Sequence, residues 1–256
     1  MTYIGSGTLR NKSSLETVIL ADSIKSIGGA AFQHCKALKT INFPTSLTEI
    51  CAWAFHNSGL EAVDLSKCAN LETMERAFQG CSSLTHISLP KGLKTISPHA
   101  FNGTKIATIE LPEGLETIGE SAFQTVPLES IVIPDTVTFI GANAFYGAQL
   151  KSVIIPDGVT EIPKYCFYNV SAYAYVFPGT LKTIDSTANI MTVNNAVLYV
   201  RAENSDYGTC DAKTALSGYA TWRPIAVTDG GKFLTSTTFA KDTLAAPVKH
   251  GHIFEV

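Results

Sequence analysis

The chain has 256 residues, 45% of them hydrophobic, and a formal net charge of -3 from 19 basic and 22 acidic side chains. That composition suits a folded protein with a sizeable core, and charge so evenly spread offers no basic stripe to a nucleic acid. No stretch approaches the roughly 18 to 20 apolar residues of a spanning helix, and Met1 to Gly7 has neither the charged start nor the apolar segment of a signal peptide; neither element is expected.

Ile4 to Leu15 overlays Ile27 to Leu38, with Leu9 where Phe32 stands and Lys12 where Cys35 stands. This partial coil over residues 4–14 reads either as a polar cap or as part of a longer array. From there a phenylalanine recurs every 22 to 23 residues: Phe32, Phe55, Phe78, Phe101, Phe123, Phe145 and Phe167. Such self-similarity is the mark of a repeat architecture. An alanine precedes six of the seven, and Cys166, also apolar, precedes the last.

Each coil opens on Leu-x-x-Ile-x-Leu, as in Leu84, Ile87 and Leu89, which alternates like a short strand. A proline then closes it in most copies (Pro44, Pro90, Pro112, Pro134, Pro156, Pro178), because proline cannot donate to a sheet ladder. Copies such as Pro90-Lys91-Gly92 continue in turn chemistry. A second apolar pair follows, for example Leu93 and Ile96, before the Ala-Phe step. One coil cannot bury six inward side chains alone, so coils must stack at about 4.8 Å each. Seven full coils are read over 15–171 and a partial one over 172–184, making 1–184 a solenoid.

The third coil carries extra residues between Leu65 and Leu71, and Met74 stands one residue closer to Phe78 than its counterparts do; a local bulge is expected there. Beyond Ile184 the match fades. Leu198-Tyr199-Val200 and Trp222 to Ile225 look like a degenerate closing coil, and Asp229-Gly230-Gly231 reads as a hairpin turn. Residues 185–256 are taken as a β-rich cap or a small β module.

The copies read L-x-x-I-x-L-P-x-x-L-x-x-I-G-x-x-A-F-x-x-C, most cleanly from Leu84 to Phe101 and Leu128 to Phe145. This resembles the BspA-like class of leucine-rich repeats over about residues 4 to 184. The resemblance implies a short parallel sheet on a concave face, irregular or short helical turns on the convex face, and proteins secreted or held at the cell surface. It also implies non-enzymatic adhesion to another protein, host or matrix, and it carries over no catalytic position.

Within the strands, period-two alternation sends two rows outward on the expected concave face. One reads Thr17, Thr40, Ala62, His86, Thr108, Ser130, Ser152, Ala174. The other reads Ile19, Asn42, Asp64, Ser88, Glu110, Val132, Ile154, Val176. The binding candidates are Asn42, Asp64, His86, Ser88, Glu110, Val132, Ile154 and Val176. The last three form an apolar end expected to be exposed, as a contact for a partner or for the cap folding across. A structural or self-associating scaffold is the alternative use of the array, with the oligomeric state open. Glycan binding would need exposed aromatics, for which Tyr146, Tyr165, Tyr168 and Tyr173 are candidates.

Cys35 and Cys81 occupy equivalent positions two coils apart, about 10 Å in a stack and beyond a disulfide's reach. With Cys51 and Cys166 they read as structural thiols, while Cys68 and Cys210, in irregular segments, are the expected reactive ones. His250-Gly251-His252 lacks a third ligand in the sequence, so no metal site is read. Nucleophile elbows, phosphate loops and zinc-protease motifs are all missing, Asp206, Asp211 and Asp229 have no defined arrangement, and no enzyme activity or cofactor is expected. Asn11, Asn102 and Asn169 begin glycosylation sequons, which bear only on a eukaryotic secretory route.

Overall fold

The computed structural model describes residues 2–178 and 180–188, together with the backbone of the strands Val197–Arg201, Trp222–Ile225, Thr228–Asp229 and Lys232–Phe233. The chain winds into a parallel β-solenoid of about 8 turns. Phenylalanines stack along its centre because the 22- to 23-residue period returns each ring to the same place. Phe32 lies 5.2 Å from Phe55 and Phe145 lies 5.6 Å from Phe167, with rings nearly parallel. All seven rings are fully buried, and removing one large aromatic from a packed core typically costs about 3–5 kcal/mol.

Each coil contributes two short strands rather than one. The first row contains Thr17–Val18, Thr40–Ile41, Ala62–Asp64, His86–Ser88, Ser152–Ile154 and Ala174–Phe177. Its pairings are parallel and hold the sequence alignment: Val63 faces Ile87, and Val153 faces Tyr175. Residues 106–111 and 128–133 keep the apolar ladder without forming strands. Val197–Arg201 and Trp222–Ile225 extend this row in parallel, and Thr228–Asp229 pairs antiparallel with Lys232–Phe233; Gly230 and Gly231 of the expected turn lie outside the described residues.

The second row runs through the Leu-x-x-Ile segments, including Tyr3–Ile4, Ser26–Ile27, Thr95–Ile96, Thr117–Ile118 and Phe139–Ile140. Isoleucine enters the core while its neighbour faces out, a pleated half-buried setting that favours β-branched residues. The row thins to an isolated bridge between Glu49 and Thr73 at the third coil. There the expected bulge takes the form of two successive turns after Leu65, and Met74 N–H donates to the Ser97 hydroxyl at 3.3 Å.

Opposite the first row, the expected short helical turns are replaced by irregular turns: no helix occurs among the described residues. The reason is a pair of left-handed residues in each coil, two before and two after the Phe: Ala30 (φ 54°) and His34 (φ 59°), Trp53 (60°) and Asn57 (56°). This alternation turns every second N–H toward the next coil. Ala30, Phe32 and His34 donate to the carbonyls of Ala52, Ala54 and His56 at 3.1, 2.7 and 2.9 Å. A right-handed helix would direct those donors along its own axis and break the coil-to-coil ladder. The proline turns recur as expected, with Leu93 N–H donating to Pro90 O at 3.1 Å and Leu115 N–H to Pro112 O at 2.9 Å.

Candidate functional site

The first strand row presents the candidate surface. Its outward residues from Thr17 to Ser130 are exposed, while the flanking Val63, Ile87 and Ile109 point inward. Asn42, Asp64, His86, Ser88, Glu110 and Val132 therefore share one open face. Val132 is 40% exposed, but Ile154 and Val176 are only 7% and 2% exposed. The expectation of an exposed apolar end fails at these two residues.

The cause is visible in Ala174–Phe177, where all four residues are buried. That strand is interior to a four-stranded parallel sheet and buried on both faces, a setting that selects apolar residues at every position rather than at alternate ones. Ile154 and Val176, directly paired in register, belong to this doubly covered end. Ala174 in the other outward row is buried with them.

Side chains on the open stretch differ in how committed they are. Asn42 is held: Leu20 N–H donates to its Oδ1 at 2.6 Å, and its Nδ2 donates to Leu20 O at 2.9 Å. Asp64 accepts from Ser66 N–H at 2.9 Å, and bonding to Ser66 holds its carboxyl below the usual range. His86 Nδ1 lies 2.8 Å from the Thr85 hydroxyl. Glu110 makes no ion pair among the described residues. At the margins, Lys39 pairs with Glu61 at 3.3 Å and Lys151 with Glu129 at 3.1 Å, each bridging adjacent coils. Being exposed, such pairs contribute little stability but fix charge positions.

No group of three or more His, Cys, Asp or Glu side chains that could hold a metal occurs among the described residues. His250 and His252 lie outside them, as do Asp206, Asp211 and Cys210. Cys35 and Cys81 are buried free thiols, each within 3.0 Å of a carbonyl one coil earlier. Cys68 overturns its expectation: it is fully buried, filling the space under the two turns of the bulge, with its Sγ 3.5 Å from Pro44 O. Burial pushes its thiol up to about 11. An insertion can thus bring its own core residue, which a repeat pattern does not reveal.

A small polar groove of about 480 Å³ lies beside this irregular face, lined by His34, Lys36, Asn57, Ser58, Gly80 and Ser82 among others. The tyrosines sort by place. Tyr146 and Tyr168 stack at 5.1 Å and Tyr165 meets Tyr168 edge-on at 5.6 Å, all on the irregular side, whereas Tyr173 leads into the first strand row.

Residues 2–127 and 116–195 match the profile of the BspA type leucine rich repeat region, in six copies. The chain belongs to the BspA-type leucine-rich repeat family. Among solved structures, this BspA-type chain is similar to a leucine-rich repeat protein from Bacteroides ovatus, with a TM-score of 0.62 and 19% identity over 88% of this chain and 64% of that one. It thus spans under two thirds of that protein's length. The pneumococcal vaccine antigen PcpA is similar at 21% identity and TM-score 0.48, over 90% of this chain and 72% of that one. A leucine rich cell surface protein from Faecalibacterium prausnitzii gives 19% identity and TM-score 0.39, over 82% and 86%. No curated protein matches. The likeness to the Bacteroides ovatus structure concerns the fold of the BspA-type array.

Proposed function

We infer that the protein is a non-enzymatic interaction module of a secreted or surface-held protein, and that the open part of its first strand row contacts another protein. The carrying observation is that exposed Asp64, His86, Ser88 and Glu110 follow one another on the same face of successive coils, with Asp64 and Ser88 paired in register. Ser88 is short and Asp64 is already held by Ser66, so these two lose little rotamer freedom on binding. With Asp64 and Glu110 on the face, the complementary partner segment carries basic groups. The BspA-type family supports repeat-based protein interaction, and no described helix is long and apolar enough to cross a membrane.

The test is capture by a panel of immobilised extracellular-matrix proteins, comparing the natural chain with a His86→Ala, Ser88→Arg, Glu110→Lys variant. All three positions are exposed, so the fold should survive. Capture should weaken at least tenfold, equal to about 1.4 kcal/mol. Unchanged capture by the variant removes this face; no capture by the natural chain argues against adhesion.

A further inference from the structure

The spacing between a core phenylalanine and the leucine that opens the next strand is not constant. Leu38 stands six positions after Phe32 and Leu84 six after Phe78, but Leu60 only five after Phe55. The shorter coil turns this corner on Gly59 alone, where its neighbours use Lys36-Ala37 and Ser82-Ser83. Gly59 is drawn inward: its N–H donates to Cys35 O at 3.1 Å, and a Cβ there would strike Lys36 O. A one-residue deletion between two longer corners leaves a notch, and this notch is the polar groove of about 480 Å³. Its walls stand two coils apart, about 10 Å at strand spacing.

The lining supplies hydrogen-bond donors and a cation, and no carboxylate. Lys36 on one wall makes no ion pair among the described residues. Glu61, the acid nearest to Gly59 in the sequence, is taken up by Lys39 at 3.3 Å. On the other wall, the successive N–H groups of Ser82 and Ser83 and their hydroxyls bond to no other described residue, and unpaired turn amides of this kind suit an anion. Gly80, left-handed at φ 72°, adds no side chain; the Asn57 carboxamide leans into the place its Cβ would take. On the floor, Ser58 is only 4% exposed, and its Oγ lies 3.3 Å from Cys81 Sγ. Cys81 donates its own proton to Phe55 O at 3.0 Å. The Ser58 hydroxyl is thus left with sulfur, a weak acceptor, as its partner within the protein. A buried donor so weakly matched calls for a stronger acceptor, and the groove is where one can enter.

We propose that this notch binds a sulfate or phosphate group carried on a small hydrophilic molecule. Both are tetrahedral oxyanions that accept from several donors at once, and charge-assisted bonds of about 2.7–2.9 Å on either side bridge a gap of this width. Lys36 supplies the charge; His34, Asn57 and Ser58 donate from below, and Ser82 and Ser83 from the far wall. A carboxylate, with two oxygens in one plane, cannot answer donors on both walls and the floor together. A metal cation would meet a lysine and no carboxylate. The groove is larger than the ion alone, which leaves room for the group that bears it. The site shares no residue with the open strand face, so its fate is independent of the protein-binding reading.

Amide NMR spectra of the whole chain, titrated with sodium sulfate, sodium phosphate or sodium acetate at fixed ionic strength, test this. The Ser82 and Ser83 signals should move and saturate with sulfate, phosphate or both, and the tighter of the two names the oxyanion; acetate should leave them in place. Lys36→Gln and Ser82→Asp alter exposed side chains, so the fold should persist. Read on Ser83, each should raise the half-saturation concentration by at least about tenfold, as the loss of one charge-assisted bond implies. Lys91→Gln, which changes an exposed lysine outside the groove, should leave it unaltered. Unmoved Ser82 and Ser83 signals with both oxyanions, equal movement with acetate, or half-saturation untouched by both groove variants overturns the proposal.

Discussion

The carboxamide of Asn42 closes a two-bond ring on the main chain of Leu20 one coil earlier, accepting from its N–H at 2.6 Å and donating to its carbonyl at 2.9 Å. The side chain thus continues the coil-to-coil bonding where the Thr17–Val18 and Thr40–Ile41 pairing ends. Asn42→Ala should lower unfolding free energy by about 1–3 kcal/mol, since both Leu20 groups lose their partner. Urea denaturation checks it. A loss below a few tenths of a kcal/mol would show that water replaces the amide, returning Asn42 to the list of side chains available to a partner.

The left-handed positions make an unusual stability prediction. Ala30 holds φ 54°, where removing the Cβ relieves crowding, so Ala30→Gly should raise stability by up to about 1 kcal/mol. Ala31, next to it, is fully buried and has no positive φ; Ala31→Gly should destabilise. Thermal melts of the pair decide the matter, and a shift of the same sign in both contradicts the backbone argument.

Thiol reactivity should follow burial rather than loop position. Among the five described cysteines Cys51 is the partly exposed one, and the others are buried. Burial pushes the thiols of Cys68 and Cys81 up to about 11, so neither supplies thiolate near neutral pH. Brief alkylation of the native protein followed by peptide mapping should therefore label Cys51 ahead of Cys35, Cys68, Cys81 and Cys166. Earlier labelling of Cys68 would mean the bulge opens readily.

Acid should weaken the fold through His56. Burial, and then the neighbouring His34 ring at 5.4 Å, hold its pKa below the ordinary 6.5. A depressed folded pKa means that the unfolded chain binds more protons between the two values. The stabilising contribution is thus complete above about 6.5 and is lost as pH falls through the folded pKa. His99 is lowered in the same direction, by burial and then by Arg76. His56→Gln, which can retain the 3.0 Å bond to Gln33, should flatten part of the decline in melting temperature from pH 7 to pH 5. An identical decline in variant and natural chain would assign the effect elsewhere.

The repeat was legible because core ladders impose side-chain identity at fixed intervals. Phe78 and Phe101 could be aligned without coordinates, and that alignment gave the register in which Val63 meets Ile87. Proline at position 90 or 112 marked the turn because its missing N–H has one local consequence. The second strand row was harder to read: pairs such as Thr95-Ile96 are too short to show alternation. Their β-branched residues carried the only signal.

What the sequence by itself determined is the family, the repeat period and the inward ladders, since each depends on one residue type meeting one fixed environment. Tertiary structure decided exposure. Val132 and Val176 occupy equivalent outward positions, yet only Val132 is open, because burial of an outward residue depends on what lies across the face and not on its own coil. The same holds for Trp53 beside Arg76 and for Cys68 beneath its turns: the neighbours that give each its setting come from other coils or from an insertion, and no repeat pattern encodes them.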